Sequence, residues 1–151
     1  MGPSGAPLYD AHMTVKTVRR SVATRGNGEI LDVTGDVAEA VRGSGIANGI
    51  ATVFVTGSTA ALTTLEFEPG LVHDLNAAFE RLYPREMEYR HHERWGDDNG
   101  HSHVRASMLG PSLVLPVSGG ELALGTWQQI VLVDFDTRPR AREFLVQVMG
   151  G

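Results

Sequence analysis

Short runs of β-branched and aliphatic residues, separated by turns, are the feature that most limits how this chain can fold. The runs lie at residues 13–24, 49–65, 112–117, 121–136 and 142–149. In the last run Phe144, Val146 and Val148 alternate with Glu143, Leu145 and Gln147, the period of a half-buried strand. Most of the connections are too short to hold a helical crossover, so neighbouring strands should be antiparallel. The pattern predicts seven or eight strands in a mainly β, antiparallel β-sandwich, at the margin of the α+β class.

Two segments carry helical signals instead. Between "EPG" and Pro84, apolar residues recur at helical spacing, with Asp74 in the first turn. A second helix is predicted in "TGDVAEAVRGSG", with Asp36 as its N-cap, Glu39 completing a capping box and Gly43 at its end. We therefore expect two or three short helices at the periphery of the sandwich.

The chain has the size and composition of one globular domain. It has 151 residues, of which 42% are hydrophobic and 21% charged. The Gly/Pro/Ser-rich start predicts a disordered segment at 1–11, followed by one domain at 12–151. No apolar stretch approaches the roughly 20 residues of a membrane span, and no signal segment opens the chain, so a cytoplasmic protein is expected.

Charge and cysteine content restrict the partners. The net charge of -5 argues against nucleic-acid binding, which depends on clustered basic residues. The one basic run, "RPRAR" at 138–142, is interpreted as the exposed turn of a hairpin, with a local anion contact as the alternative. A small phosphorylated substrate stays compatible with this charge. Because cysteine is absent, a metal site would have to use His, Asp and Glu.

The stretch "HHERWGDDNGHSH", residues 91–103, holds four of the six histidines. Imidazole is the commonest metal ligand, and carboxylates complete the coordination of harder ions. If "HSH" is extended, His101 and His103 project to the same side, and a turn at "DDNG" returns His91 or His92 towards them. The alternative is a solvated polar loop. The spacing fits neither an EF-hand nor an HExxH motif.

Five further residues, at four places in the chain, are candidates, each with a structural alternative. Ser58 and Thr59 follow Gly57, where one long strand or two successive strands bend, and they could contact an anion or pair in a sheet. Glu66 is either a buried carboxylate among apolar neighbours or a surface residue. Asp74 has an explanation in the helix dipole alone. Trp127 could flank a planar ligand or pack in the core.

The order of three motifs resembles the YjbQ-like family, often called secondary thiamine-phosphate synthases. The motifs are "NGHSH" at 99–103, "MLGPS" at 108–112 and "LGTWQ" at 124–128. The resemblance extends from about residue 13 to residue 149. It implies a folded-meander β-sandwich assembled as a homotrimer, with a metal or ligand site made of His, Asp and Glu side chains.

The resemblance also implies residue roles. Glu66 and Asp74 would be catalytic, and His91 and His103 would bind a divalent metal, with His92 and His101 as alternates. The metal would be Zn, Mn, Ni or Mg, and its identity is open. Among the substrate-binding candidates, the resemblance covers Asn99, Trp127 and Gln128. Ser58 and Thr59 are added because of their place at the strand bend, and Arg105 because a diphosphate needs a positive charge nearby.

The implied activity joins a pyrimidine diphosphate to a thiazole phosphate and releases pyrophosphate, as a weak or secondary activity. Alternatives are a metal-dependent hydrolase or lyase, and a non-catalytic trimer that binds a small ligand or a metal. One position departs from the family pattern: many members carry a His-Thr pair where this chain has Gly57 and Ser58. We hypothesise that the extra histidines, His92 and His101, compensate in space.

Overall fold

The computed structural model describes residues 12–151, which form eight strands and four helices. The predicted disordered segment 1–11 lies outside the described residues. The strands are β1 (Thr14–Thr24), β2 (Glu29–Asp32), β3 (Gly49–Val55), β4 (Ala60–Leu65), β5 (Ser112–Ser118), β6 (Glu121–Leu122), β7 (Gln129–Asp134) and β8 (Arg140–Gly150). The helices are α1 (Thr34–Ser44), α2 (Pro69–Leu82), α3 (Arg90–Trp95) and α4 (Gly100–Leu109).

The strands form two antiparallel sheets, which confirms the predicted fold class. One sheet has the order β1-β8-β3-β5-β6 and the other β2-β7-β4. Each recorded strand pair is antiparallel. In the register of β8 with β3, Val146 faces Val53 and Val148 faces Ala51, and all four are buried. The alternation read from the sequence of β8 therefore marks its inward face.

The three-stranded sheet is buried on both faces, and this explains its continuous apolar sequences. Leu62, Ile130 and Leu132 join the core shared with the larger sheet and α1. Val131 and Val133 face a second core, which includes Phe79 of α2 and Ala106 of α4. A strand enclosed in this way reads as an unbroken apolar run, not as an alternating one. The molecule is thus layered as sheet, sheet and helices.

Helix α2 forms as predicted, except that Asp74 lies in its second turn and not in its first, so the helix dipole does not account for it. The boundaries of α1 were predicted wrongly. Glu68 caps α2 by accepting backbone N–H groups of its first turn, and Pro69 follows it. Helix α1 begins at Thr34, two residues before the expected N-cap, and its C-cap is Gly45. Asp36 lies inside its first turn. The Asp32 carboxylate accepts the Thr34 N–H at 2.9 Å, which moves the start of the helix upstream.

The histidine stretch is helical, contrary to the extended "HSH" expected from the sequence. It forms α3 and α4, joined by 96–99. Residues 12–151 therefore form four helices, not two or three. No helix among residues 12–151 is long and apolar enough to cross a membrane.

Three connections cross between the sheets at one corner of the molecule. They are residues 25–28 between β1 and β2, 56–59 between β3 and β4, and 135–139 between β7 and β8. The hairpin predicted at "RPRAR" is therefore wrong, because β7 and β8 belong to different sheets. Arg142 from that run is buried. This corner positions the candidate site.

Candidate functional site

The four histidines of α3 and α4 separate into two pairs that point in different directions. Successive residues of a helix are about 100° apart, so neighbours cannot share a face. The rings of His91 and His103 face each other, with 4.4 Å between their centroids. The rings of His92 and His101 both pack near Tyr89, at 5.7 and 6.3 Å between centroids.

His92 holds the start of α4. Its Nε2 accepts the backbone N–H of Gly100 at 3.1 Å, one of the donors that a helix start leaves without an intrahelical partner. A Cβ at Gly100 would lie 2.5 Å from the Cβ of Tyr89 and 2.9 Å from His92 Nε2. Only glycine fits this approach. The glycine of "NGHSH" thus has a packing explanation, and so does His92.

His101 is a core residue, with 2% of its surface exposed. Burial lowers the pKa of its imidazole below the ordinary value of 6.5, and the nearby Arg105 guanidinium lowers it further. Its Nδ1 is enclosed without a hydrogen-bond partner among the described residues. A neutral ring in this position serves packing. The hypothesis that His92 and His101 replace a missing site histidine therefore finds no geometric support.

The other pair is accompanied by polar groups. The Asp97 carboxylate lies 3.6 Å from His91 Nε2. With the Asn99 amide nitrogen turned towards these groups, it donates to Asp97 Oδ1 at 3.1 Å and lies 3.3 Å from His91 Nε2. Two residues expected at the site, His91 and Asn99, therefore meet at a carboxylate that the sequence interpretation had not selected. A third, His103, contacts the His91 ring directly.

His103 also lines a small cleft of about 170 Å³ beside the bend at Gly57 and Ser58. Burial lowers the pKa of His103 below 6.5, and the proximity of His91 lowers it further. The carboxylates of Asp97 and Asp136 and hydrogen bonding to the Ser58 backbone act in the opposite direction. The net effect favours a neutral His103 imidazole at neutral pH. An aromatic base therefore faces a cleft with an exposed serine.

Beneath the cleft, a buried ionic network ties the crossing connections together. Asp134 is fully buried and accepts two hydrogen bonds from Arg142, each of 2.7 Å. Thr59 accepts another from Arg142 at 2.7 Å and donates to Asp136 at 3.0 Å. Arg140 donates to the same Asp136 oxygen at 3.0 Å. Hydrogen bonding and opposite charges outweigh burial and lower the pKa of Asp136.

Two predicted substrate-binding side chains have partners within the fold. Thr59 is buried in the ionic network just described. Arg105 points away from the cleft towards α2, where it donates to the Tyr83 carbonyl and to Glu80 at 2.6 Å. Structural roles account for both. Ser58, in contrast, is exposed at the cleft.

The remaining predicted residues lie elsewhere. Glu66 is exposed, so it is not a buried carboxylate. It follows the far end of β4, a strand about 17 Å long at about 3.3 Å per residue. Asp74 is exposed on α2 beside His73. Trp127 is 72% exposed, not packed in the core, and Gln128 donates to Thr64. Within a single chain, these residues do not join the pair formed by His91 and His103.

The residues of this corner do not fit a three-ligand metal site. Zinc sites usually take three or four protein ligands, each about 2.0 to 2.3 Å from the ion. Within residues 12–151, no group of three or more His, Asp or Glu side chains is arranged to hold a metal ion. The His91 and His103 imidazoles together supply two nitrogen ligands, fewer than the three or four that a zinc site usually takes.

Comparison with known proteins gives the family. The family described as "UPF0047 protein YjbQ-like" matches residues 18–151. The chain belongs to this family. A UPF0047 protein of Archaeoglobus fulgidus is 36% identical over 91% of this chain and 98% of its own length. Another from Methanothermobacter thermautotrophicus is 38% identical, covering 95% and 93%.

Solved structures of the YjbQ-like family share the fold. A YbjQ-like protein of unknown function from Sulfolobus solfataricus P2 superposes with a TM-score of 0.88 at 37% identity. The superposition covers 93% of this chain and all of that one. A hypothetical protein from Aeropyrum pernix K1 has a TM-score of 0.83 at 36% identity, covering 90% and 99%. The resemblance seen in the three motifs is therefore confirmed as family membership.

The sequence interpretation missed Asp97, Asp136 and Arg142. The signal for two of them is "DFDTRPRAR", in which two acidic residues and then three arginines occupy alternate positions around a connection. Alternation places such side chains on one face of each strand, where opposite charges can pair. Asp97 was visible in the sequence but was assigned only to a turn.

Proposed function

We propose that this YjbQ-like protein is an enzyme that uses His91 and His103 as a general acid–base pair on a small phosphorylated molecule. The observation that carries the proposal is the contact of the His91 ring with His103, which lines the cleft beside Ser58. A carboxylate beside one ring and a lowered pKa on the other are the environments that such a pair requires.

The pair is suited to share one proton. Two positive charges within about 4 to 5 Å repel, so simultaneous protonation of both rings is unfavourable. His103 is favoured as the neutral ring and can accept a proton. His91, beside Asp97, is placed to form an ion pair when its ring is protonated. One ring can thus take a proton while its neighbour gives one.

The first reaction that we propose is the one implied by the family resemblance. The thiazole nitrogen forms a bond to the pyrimidine carbon that bears the diphosphate. The carbon–oxygen bond breaks, and pyrophosphate leaves with the bonding electrons. A proton from His91 on the departing oxygen would stabilise the leaving group. We treat this as a weak or secondary activity, with hydrolysis or elimination of a related phosphorylated molecule as the alternative.

A divalent metal is proposed only in a restricted form, because the residues of one chain do not complete a site. A metal supplies charge neutralisation to a departing diphosphate. His91 and His103 would be its protein ligands, and further donors would have to come from a phosphorylated substrate or a second copy. The bond changes and the proton transfer proposed for the reaction do not require this metal.

A homotrimer remains part of the proposal. Trp127 and Phe67 are large apolar side chains exposed near the end of β4. Glu66 and Gln128 lie in the same region. Association of copies would cover these apolar groups, and it is the route by which Glu66 or Asp74 could approach a histidine pair. Cytoplasmic location and absence of nucleic-acid binding also stay predictions.

The test is a product assay of the purified protein with a pyrimidine diphosphate and a thiazole phosphate, following pyrophosphate release. We expect turnover that is lost in His91→Ala and His103→Ala and retained in His73→Ala, whose ring is exposed on α2. A parallel screen of phosphorylated and non-phosphorylated substrates separates transfer from hydrolysis. Equal turnover in the wild type and in both cleft variants would refute the proposed pair, and ligand binding without turnover would favour a non-catalytic trimer.

A further inference from the structure

The ionic network leaves one nitrogen of a buried arginine unused. The Arg142 side chain is only 9% exposed. Its Nε and Nη2 donate to Asp134, and Nη2 also donates to Thr59. An arginine has five N–H donors, two of which belong to Nη1. Among the described residues, Nη1 has no hydrogen-bond partner, so two donors are available.

This nitrogen is directed at the bend beside the cleft. A Cβ built on Gly57 would lie 3.0 Å from Arg142 Nη1, and no other heavy atom outside the neighbouring residues lies within 4 Å of it. Among residues 12–151, two side-chain nitrogen or oxygen atoms are shielded from solvent and have no hydrogen-bond partner. They are His101 Nδ1 and Asp136 Oδ1. Because Nη1 is not one of them, it keeps contact with solvent. The missing side chain of Gly57 therefore leaves a passage to a guanidinium donor.

The cleft next to this passage offers a second kind of donor. It is lined by Gly57, Ser58, His103 and Ser107, together with Ala60, Ala106 and Pro111. The Ser58 hydroxyl is exposed and has no hydrogen-bond partner among the described residues. A hydroxyl donor on the cleft and a guanidinium donor behind Gly57 at its edge match the acceptor oxygens of a phosphoryl group.

We infer that Arg142 Nη1, reached past Gly57, and the Ser58 hydroxyl form an oxyanion subsite that holds the phosphoryl group of a small molecule beside His103. The inference rests on the proposed function in that it places the phosphorylated end of the substrate at the same cleft. It goes beyond that function because it assigns a binding role to Arg142 of the ionic network. It also explains why position 57 is a glycine.

The charge balance sets the character of this subsite. Arg142 and Arg140 are paired with Asp134 and Asp136, so the network has no surplus positive charge. Recognition must come from directed hydrogen bonds, which guanidinium groups supply to phosphate with defined geometry. A cleft of about 170 Å³ is smaller than the roughly 300 Å³ of complete ligand sites, so it accepts one phosphoryl group and leaves the rest of the ligand outside.

The test uses inorganic phosphate and pyrophosphate as probes, titrated into the full-length protein at constant ionic strength and followed by calorimetry. Gly57→Ala places a methyl group 3.0 Å from Nη1. We expect saturable binding to the wild type, weakened about tenfold or more in Gly57→Ala and by a smaller factor in Ser58→Ala. The matched control is Gly120→Ala, which also has an unfavourable positive φ, 79° against 130° at Gly57, and no atom within 4 Å of the new Cβ.

A second measurement needs no variant at the bend. In the wild type, the ring protons of His103 should shift in an NMR titration with phosphate, while those of His73 on α2 should not. Absence of phosphate and pyrophosphate binding, or equal binding by wild type and Gly57→Ala, would overturn the subsite. Binding that shifts both histidines alike would also overturn it.

The outcomes for the subsite and for the catalytic pair are separable. Phosphate binding that His103→Gln retains, in a protein without turnover on any substrate tested, supports the subsite and counts against the enzyme. If turnover depends on His103 but phosphate binding does not change in Gly57→Ala, the catalytic pair is supported and the subsite is refuted.

Discussion

The two histidine pairs of α3 and α4 contrast sharply, although the members of each pair come from the same short stretch of sequence. His92 and His101 surround Tyr89, one capping α4 and the other enclosed in the helix layer. The His91 ring, beside Asp97, contacts His103, which lines the cleft with Ser58. Nearness along the chain thus says little about role, because the face of the helix decides which ring is packed and which is available for chemistry.

The largest effect should follow from removing the cleft base. In His103→Ala, turnover should fall by about 10²- to 10⁴-fold, the usual contribution of a general acid–base group. The free energy of unfolding should change by less than about 1 kcal/mol, since the ring lies at the edge of a cleft. The rate of pyrophosphate release and urea unfolding, measured on one preparation, check the two quantities.

His101→Ala should give the opposite result. Loss of an enclosed ring should lower the free energy of unfolding by about 1 to 3 kcal/mol through the cavity it leaves. Turnover per folded molecule should stay within a few-fold of wild type. If His101→Ala abolishes turnover while the protein remains as stable as wild type, the division into packed and available histidines fails.

The pH dependence of stability should follow from the same burial. The pKa of His101 and that of His103 are lowered in the folded state, so below pH 6.5 the unfolded chain takes up these protons more readily. Stability should be fully present above about pH 6.5 and decrease as pH falls, by at most about 1.4 kcal/mol per pH unit for each group. Urea unfolding between pH 7.5 and 5 tests this. A His101→Phe variant should flatten the curve, and an unchanged slope would contradict the assignment.

His92→Ala should cost about 1 kcal/mol, because the Gly100 N–H loses its acceptor at the start of α4. Hydrogen exchange of the Gly100 amide is the specific measurement, and its protection should decrease. His91→Ala is the matched control on the neighbouring residue, and its Gly100 amide should exchange as in the wild type. Equal acceleration in the two variants would mean that α3 acts as a whole and not through His92.

The smallest effect should be that of metal alone. Because one chain offers two imidazoles and no complete ligand group among its described residues, Zn, Mn, Ni or Mg should raise Tm by less than about 2 °C. Addition of pyrophosphate should increase the shift, and His91→Ala should remove the increase. A large shift with metal alone would show a site that the geometry of one chain does not reveal.

The fold was predictable to a large extent, because strand periodicity and turn chemistry act locally. The inward face of β8 and the existence of α2 follow from apolar spacing alone. The same reasoning failed at 101–103, where two histidines flanking a serine look like an extended segment. Capping by His92 and the close approach at Gly100 make that segment helical, and both depend on contacts made across the α3–α4 connection.

The candidate site was predictable only in part. The His91 and His103 rings meet and Asn99 lies beside His91, whereas Arg105 turns towards α2 and Glu66 lies at the far end of β4. Helical phase places residues two apart on nearly opposite faces, so "HSHVR" sends His103 and Arg105 to different neighbours. Such a divergence cannot be seen in a motif read as a string.

The sequence by itself determined the β-rich class, the antiparallel pairing and the family, because these depend on composition, period and the order of motifs. Tertiary structure alone decided which histidines face the cleft and what lies beneath it. The sheet-crossing connections 56–59 and 135–139 bring Thr59, Asp134 and Arg142 together from positions up to 83 residues apart along the chain. Burial then makes their pairing obligatory, because an unpaired charge in a low-dielectric interior is too costly to retain.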